Sequence, residues 1–240
     1  MDRQFLKYHS TSKLGADGEE LAKIFKNPYV AFDIHYKSYP RFKRIFFEKA
    51  LKSSELEDFM VRRKTRRRFS KRSIKLKEIS HLLQFSCGLS DKHNERRTYP
   101  SAGARYPIET YVCMKNIPGV SPGAYHYNVK ENSLEFILED KNLTNLRKCF
   151  IKKILPRNTM VIIILAAMFN RNYTKYRERS YRYSLIECGH IGQNISLLSE
   201  KMRLGCCAIG GFIDNELNRL LDLEETCEVI IYLVAIGHGR

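Results

Sequence analysis

Four short segments of the sequence combine residue types that can act on a bound ligand. The first is Arg63-Lys64-Thr65-Arg66-Arg67. Guanidinium groups fork around phosphate oxygens, and a hydroxyl between them can hydrogen-bond a polar ring. The run reads as an anion site at the end of a helix, with Arg63 and Arg67 on one face at i and i+4. The second is PSAGARYP at 100–107. Pro100, Ala102 and Gly103 leave a flat surface that a planar ring could approach and Ser101 adds a hydroxyl; a plain surface loop is the alternative. The third is Lys175-Tyr176, among Arg171, Arg177, Arg179 and Arg182. A lysine crowded by cations has its pKa lowered and a tyrosine can pass a proton, so the pair reads as acid–base machinery or as a solvated basic face. The fourth is Gly210-Gly211, where missing side chains would offer backbone N–H groups to a ligand edge. Glu187 and His190 read as a satisfied, partly buried pair rather than as catalysts.

Other chemistries lack their residues. A serine-hydrolase elbow, a Walker loop, a Rossmann glycine fingerprint and a carboxylate pair for glycoside hydrolysis are absent. The seven cysteines, at 87, 113, 149, 188, 206, 207 and 227, include no CxxC and no histidine at zinc spacing, so no metal site is expected. They read as free thiols of a reducing cytoplasm. The adjacent Cys206 and Cys207 fit buried strand positions, with a redox pair as the alternative.

The elements that must position these segments follow from periodicity. Helices are expected at 17–28, ending at Pro28, at 53–64, where serines and early acids suit an N-terminus, and at 76–89. In the last of these, Ile79, Leu82, Leu83 and Phe85 share a side and Gly88 is the stop. Residues 96–107 are loop. Strands are expected at 108–115, 124–129 and 133–138, the last two forming a hairpin around Lys130 and Glu131. The apolar run at 160–169 has ten residues, about half of a membrane span, and reads as a buried strand. A long helix reaching 199–204 carries Leu185, Cys188, Ile191, Ile195, Leu198 and Met202 at i+3 or i+4. Gly189 and Gly192 lie among them and permit close approach. Strand 206–212, helix 214–223 and strand 227–237 complete a mixed α+β chain with no internal boundary.

The 240 residues are 43% hydrophobic and 28% charged, which excludes wholesale disorder and a small disulfide scaffold. No secretory signal is visible at the N-terminus. The formal charge is +16, concentrated in RRKTRRRFSKR at 62–72, where eight of eleven residues are basic. Alone, that run fits a nuclear-localisation signal, a nucleic-acid patch, a small phosphate pocket or a solvated helical turn.

The ordered series of blocks is more specific than any one of them. RRKTRRRF followed by LKEISHLLQFSCGLS resembles the R-x-S-x-R type flavin-binding signature of the nitroreductase superfamily. RRTYPSAGARYPIETYV, PGAYHYN, TKYRERSYRYSLIECGHIGQN and AIGGFID resemble the successive blocks of one branch, the SagB-type dehydrogenases, also called thiazole/oxazole-forming or McbC-like oxidases. The blocks run from about residue 60 to residue 237, and KYHSTSKLG and YKSYPRFKRI resemble the lead-in. The resemblance implies a nitroreductase-like α+β fold: a mainly antiparallel sheet flanked by helices, with a long buried dimer-forming helix. It implies residues 1–52 as an N-terminal lead-in and 53–240 as the FMN-binding domain.

It implies further an FMN enzyme that converts azoline rings of a ribosomally made peptide to thiazoles or oxazoles, as a cytoplasmic homodimer with FMN at the subunit interface. Arg63 and Thr65, with Lys64 between them, would hold the phosphate and ribityl chain, and Arg67 would lie near the ring's polar edge. Pro100, Ser101, Ala102 and Gly103 would reach the isoalloxazine from the partner subunit. Gly210 and Gly211 would present N–H groups near the hydride-accepting nitrogen, and Arg240 is a late basic residue for the phosphate. Lys175 and Tyr176 match the family's proton-abstracting pair. Partners implied are the peptide and a cyclodehydratase complex, with neither nucleic acid nor membrane. Arg177 and Ser180 stand where the family usually has Gly, and Thr65 replaces Ser. The alternatives are an NAD(P)H-dependent nitro or quinone reductase, and a flavin-free basic module binding nucleic acid or peptide.

Overall fold

The computed structural model describes residues 4–13, 36–47, 54–150, 154–223 and 227–239. The helix expected at 17–28 and Arg240 lie outside them. Helix α1 spans Gln4–Ser12 and α2 spans Glu55–Arg62. The Ser54 N–H donates to Glu57 Oε2 at 2.8 Å, and Glu55, Glu57 and Asp58 place negative charge against the helix N-terminus. Helix α3, Leu76–Cys87, is started by the Lys75 N–H on Glu78 Oε2 at 2.8 Å. Its buried face is Ile79, Leu82, Leu83, Ser86 and Cys87. Phe85, expected on that face, is 49% exposed: around the helix, position 86 falls in the middle of the face made by 79, 82 and 83, and 85 lies about 100° away from it.

Strands β1 (Leu89–Asp91) and β2 (Arg96–Arg97) form a small hairpin before the loop. The main sheet contains β3 (Ile108–Met114), β4 (Gly123–Asn128), β5 (Ser133–Glu139), β6 (Val161–Met168), β7 (Leu204–Ile209) and β8 (Glu228–His238). Its order is β5-β4-β3-β6-β8-β7, and every pairing is antiparallel. The β4–β5 hairpin turns through Val129–Asn132, as its alternating residues require.

Strand β6 explains the layering. Val161, Ile163, Leu165 and Ala167 pack with α3 and the long helix, whereas Ile162, Ile164 and Ala166 pack on the opposite face with Leu146 and Leu217. A strand buried on both faces reads as an unbroken apolar run, which is why 160–169 looks like a membrane segment cut short. Leu146 and Leu217 belong to short helices α4 (Thr144–Lys148) and, later in the chain, α7 (Asp214–Leu220). Among the described residues no helix is long and apolar enough to cross a membrane.

Between β6 and β7 the chain makes α5, Asn170–Tyr176, and α6, Arg179–Lys201. The sequence gives no sign of the break between them. Arg177 makes it, with φ 50° and ψ −135°, a backbone region that glycine enters easily and arginine does not. The 23 residues of α6 make a helix about 35 Å long. Ser184, Glu187, Cys188, Ile191, Gly192 and Ile195 face the sheet. A Cβ at Gly192 would stand 2.6 Å from the Tyr232 ring, so this glycine sets the helix–sheet distance. The long helix is thus buried on one side. Leu185, expected inside, is 38% exposed and Ile186 48%, and a Cβ at Gly189 would meet nothing within 4 Å.

Candidate functional site

The basic segment does not continue α2. Arg63 takes φ −53° and ψ 123°, and the chain runs extended along the sheet edge. The Arg66 N–H donates to the Cys206 carbonyl at 2.9 Å, Phe69 bridges to Gly239, and the Ser70 N–H donates to the His238 carbonyl at 2.8 Å. The expected pairing of Arg63 and Arg67 across one helical turn is therefore wrong. Along this extended segment Arg63 and Arg66 are half-buried, whereas Arg67 is exposed. Arg66 Nη2 pairs with Glu200 Oε2 at 3.3 Å. Phe69 is buried and pins the segment: Cβ atoms at Gly205 and Gly237 would stand 2.7 and 2.5 Å from its side chain. Lys64 and Thr65 are exposed, and Arg67 lines a cavity of about 720 Å³ with Arg68 and Arg157.

Strand β7 ends at Ile209, and Gly210 and Gly211 follow beyond it. A Cβ at Gly210 would meet no atom within 4 Å, so its backbone stands open.

The loop 100–103 and the Lys175-Tyr176 pair meet. Gly103 has φ 63°, and a Cβ there would lie 2.7 Å from Tyr176 Oη and 3.2 Å from Lys175 Nζ. Helix α5 carries both side chains on its last turn, and Lys175 Nζ stands 5.3 Å from the Tyr176 ring centroid. Tyr176 packs edge-on against Tyr183 at 5.0 Å. The surrounding arginines do not all crowd Lys175. Arg171 is held by the Tyr106 carbonyl at 2.9 Å and by Glu109, and Arg177 stands over the Tyr173 ring.

Glu187, set aside as part of a Glu–His pair, holds this loop instead. Its Oε1 accepts from Ser101 Oγ at 2.9 Å and from the Ala102 N–H at 3.1 Å, while Ser101 Oγ in turn accepts from the Tyr106 N–H at 2.9 Å. Glu187 is 2% exposed and His190 lies on the exposed side of α6, so the two do not pair. Burial raises the Glu187 carboxyl to about 7 against the bonds from Ala102 and Ser101. The missed signal was its spacing with Ser184, Cys188 and Ile191, which fixes it on the buried face.

A second missed cluster joins three strands and a helix. His126 Nδ1 meets Glu135 at 2.8 Å and Nε2 meets Glu109 at 3.0 Å, and Arg171 caps Glu109. These bonds, chiefly that to Glu109, raise the His126 pKa. Among the described residues no group of His, Cys, Asp and Glu is arranged to hold a metal ion, and Cys206 and Cys207 are buried thiols pushed up by burial.

The segments thus form two groups on one chain. Glu187 touches the loop group and Glu200 touches the basic segment, thirteen residues apart on α6, or about 20 Å along its axis.

Residues 60–238 match the family model described as the nitroreductase family. A nitroreductase-type protein of Methanocaldococcus jannaschii is 33% identical over 171 residues, covering 71% of this chain and 86% of that one. The microcin B17-processing protein McbC of Escherichia coli is 27% identical over 161 residues, covering 65% of this chain and 59% of that one, so the match spans less than two thirds of that relative. Among solved structures, the E. coli microcin synthetase McbBCD complex with truncated pro-MccB17 bound contains a chain that superposes with a TM-score of 0.73 at 22% identity. That match covers 98% of this chain and 92% of the other, and it shows a common fold.

Proposed function

The chain belongs to the nitroreductase family, and from that membership we propose that it is an FMN-dependent dehydrogenase converting azoline rings of a ribosomally made peptide to azoles. The observation that carries the reading is the approach of Tyr176 Oη and Lys175 Nζ to the space that a side chain at Gly103 would fill. It sets a candidate base beside a flat loop suited to a planar ring. A nitro or quinone reductase has no use for that pair.

The residues present fit FMN. Arg63, Lys64, Thr65 and Arg67 lie on an extended segment whose backbone is fixed to β7 at Arg66, with Lys64, Thr65 and Arg67 exposed and Arg63 half-buried. These groups would hold the phosphate and ribityl chain, and Arg67 the polar edge of the ring. Gly210 offers an open backbone for the ring edge, with Gly211 next to it. Pro100, Ser101, Ala102 and Gly103 would form the face against the ring. Bound FMN supplies the two-electron acceptor.

The chain's own residues then handle the proton. Dehydrogenation of an azoline removes a proton from one ring carbon and a hydride from its neighbour. Lys175 Nζ would take the proton, and Tyr176 Oη would orient or relay it. Gly103 keeps the loop backbone against both groups without a side chain between them.

The two groups meet α6 about 20 Å apart, and in this reading each site of a homodimer takes the basic segment from one subunit and the 100–103 loop from the other. The open side of α6, with Leu185, Ile186 and Gly189, is the face available for that pairing. Residues 53–240 form the FMN-binding domain in this reading and 1–52 its lead-in, in a cytoplasmic enzyme acting beside a cyclodehydratase.

The test uses purified FMN-loaded protein and an azoline-containing peptide. Lys175→Ala and Tyr176→Phe keep their flavin and lose about 100-fold or more of turnover, the usual scale of general acid–base catalysis. Wild-type turnover in both variants overturns the assignment, and NAD(P)H-driven nitro reduction without azoline oxidation selects the reductase instead. Mixing Lys175→Ala chains with Arg63→Ala chains tests the shared site. Subunit exchange rebuilds one intact site per heterodimer only if Arg63 and Lys175 of a site come from different subunits.

A further inference from the structure

We propose that Glu187 is the positioning residue of the site: from α6 it clamps the 101–103 loop and, through Asn172, the helix that carries Lys175 and Tyr176. This deepens the dehydrogenase reading and rests on it for the turnover arm alone.

Three observations on different elements converge. The loop side is fixed by two bonds to one carboxylate oxygen, Ser101 Oγ at 2.9 Å and the Ala102 N–H at 3.1 Å. The next residue is Gly103, whose backbone abuts the pair. On the helix side, Asn172 is fully buried within side-chain reach of Glu187, and it lies three and four residues before Lys175 and Tyr176 on α5. Neither Glu187 Oε2 nor either polar atom of the Asn172 amide completes a hydrogen bond. Buried polar atoms without partners are costly, and a side-chain bond between Asn172 and Glu187, which interact across the joint between the two elements, would satisfy them. Rotation of the Asn172 amide pairs them in either protonation state. A protonated Oε2 donates to the amide oxygen, and an ionised Oε2 accepts from the amide nitrogen.

The charged and titratable groups that face Glu187 are Arg97 and Tyr99, ahead of the loop, and Cys188 on its own helix. Tyr99 and Cys188 are buried and raised, so near neutral pH Arg97 is the charged member of this set. With the carboxyl at about 7, Glu187 titrates in the range where the enzyme would work. Its ionisation changes the bond to Asn172, and through it the set of the last turn of α5.

Hydrogen exchange on the flavin-free protein reads the clamp without substrate. Glu187→Ala lowers the protection of the Ala102 amide at least tenfold, and Ser101→Ala, which cuts the clamp from the loop side, lowers it less. With the FMN-loaded dimer, Glu187→Ala lowers kcat at least tenfold with little change in KM. Glu187→Gln restores most of that loss and flattens the step near pH 7 in the kcat profile. Unchanged Ala102 protection in Glu187→Ala overturns the clamp whatever the substrate proves to be. Lost turnover that Glu187→Gln does not restore overturns the positioning role. If the wild-type protein oxidises no azoline, the exchange result still decides the clamp.

Discussion

Replacing Gly103 by alanine separates the stability of the loop from its role in the site. Gly103 sits at φ 63° and ψ 25°, a left-handed conformation that costs an alanine roughly 1–2 kcal/mol. The unfolded chain of the variant is less flexible, which offsets about 0.4–1 kcal/mol of that cost. The net destabilisation is about 1 kcal/mol, or a fall in Tm of about 2–4 °C for a domain of this size. The new methyl would stand 2.7 Å from Tyr176 Oη and 3.2 Å from Lys175 Nζ. Both are the tips of side chains, so they can move aside by about an ångström at little cost in folding energy. In catalysis such a displacement costs about 100-fold. Thermal unfolding of the flavin-loaded variant, beside turnover of an azoline peptide at saturating substrate, measures the two effects apart. A variant with the lowered Tm but turnover within twofold of wild type would show that the Gly103 contact lies outside the chemistry.

Other outcomes follow from single residues. Glu187 has its folded-state pKa raised to about 7, so its stabilising contribution is complete below the unfolded value of about 4.5 and is lost as pH rises to about 7, a change of about 3 kcal/mol. Urea unfolding from pH 4 to 8 should show that loss in wild type and less of it in Glu187→Gln; equal slopes would contradict it. Phe69→Ala leaves a cavity beneath Gly205 and Gly237 and costs about 3–5 kcal/mol, read from chemical denaturation; a cost under 1 kcal/mol, about the scale of a surface change, would mean that the ring does not pin the basic segment. Arg177→Gly relieves a backbone strain of about 1–3 kcal/mol against an entropic cost of about 1 kcal/mol, so its Tm should match or exceed that of wild type, and a drop of several degrees would count against the strain.

The sheet was legible because its central strands are apolar runs between turns, and β6 and β8 could be placed within a residue or two. The long helix was legible from its repeat: Cys188, Ile191 and Ile195 are buried and Leu198 and Met202 pack against the core as expected, and Leu185 alone of that set is exposed. Leu185 is large and apolar yet points outward, while the polar Ser184 and Glu187 point in. Hydropathy ranks residues by type, and burial follows the angle around the helix. The same limit hid Glu187, whose partners come from a loop 85 and 86 residues earlier in the chain. The basic run was visible, but its conformation was not. Arginine is a good helix former, and what makes residues 63–67 extended is the pairing of Arg66 and Ser70 with a sheet edge formed more than a hundred residues later. The Lys175-Tyr176 pair and the 100–103 loop were found as separate motifs. Their contact depends on the turn at Arg177 and the left-handed Gly103, neither of which has a local hydrophobic signal.

The positive charge of the first hundred residues takes on a physical meaning from how the basic run is held. A segment this cationic repels itself, and it would be expected to lie flat only if carboxylates neutralised it. Among the described residues of the run, Arg66 is the one that meets a carboxylate, that of Glu200. The rest of the anchoring is done by main-chain hydrogen bonds and the buried Phe69 ring. That division leaves the backbone that carries Arg63 and Arg67 held in place and their guanidinium groups not committed to a protein anion. A backbone held in place lowers the ordering cost of binding a phosphate relative to a flexible segment. Nucleic acid would need such charges spread in a stripe with stacking aromatics, whereas here the aromatic residue of the run is turned inward and buried. The arrangement therefore favours a compact phosphate at a fixed point over a polyanion along a surface.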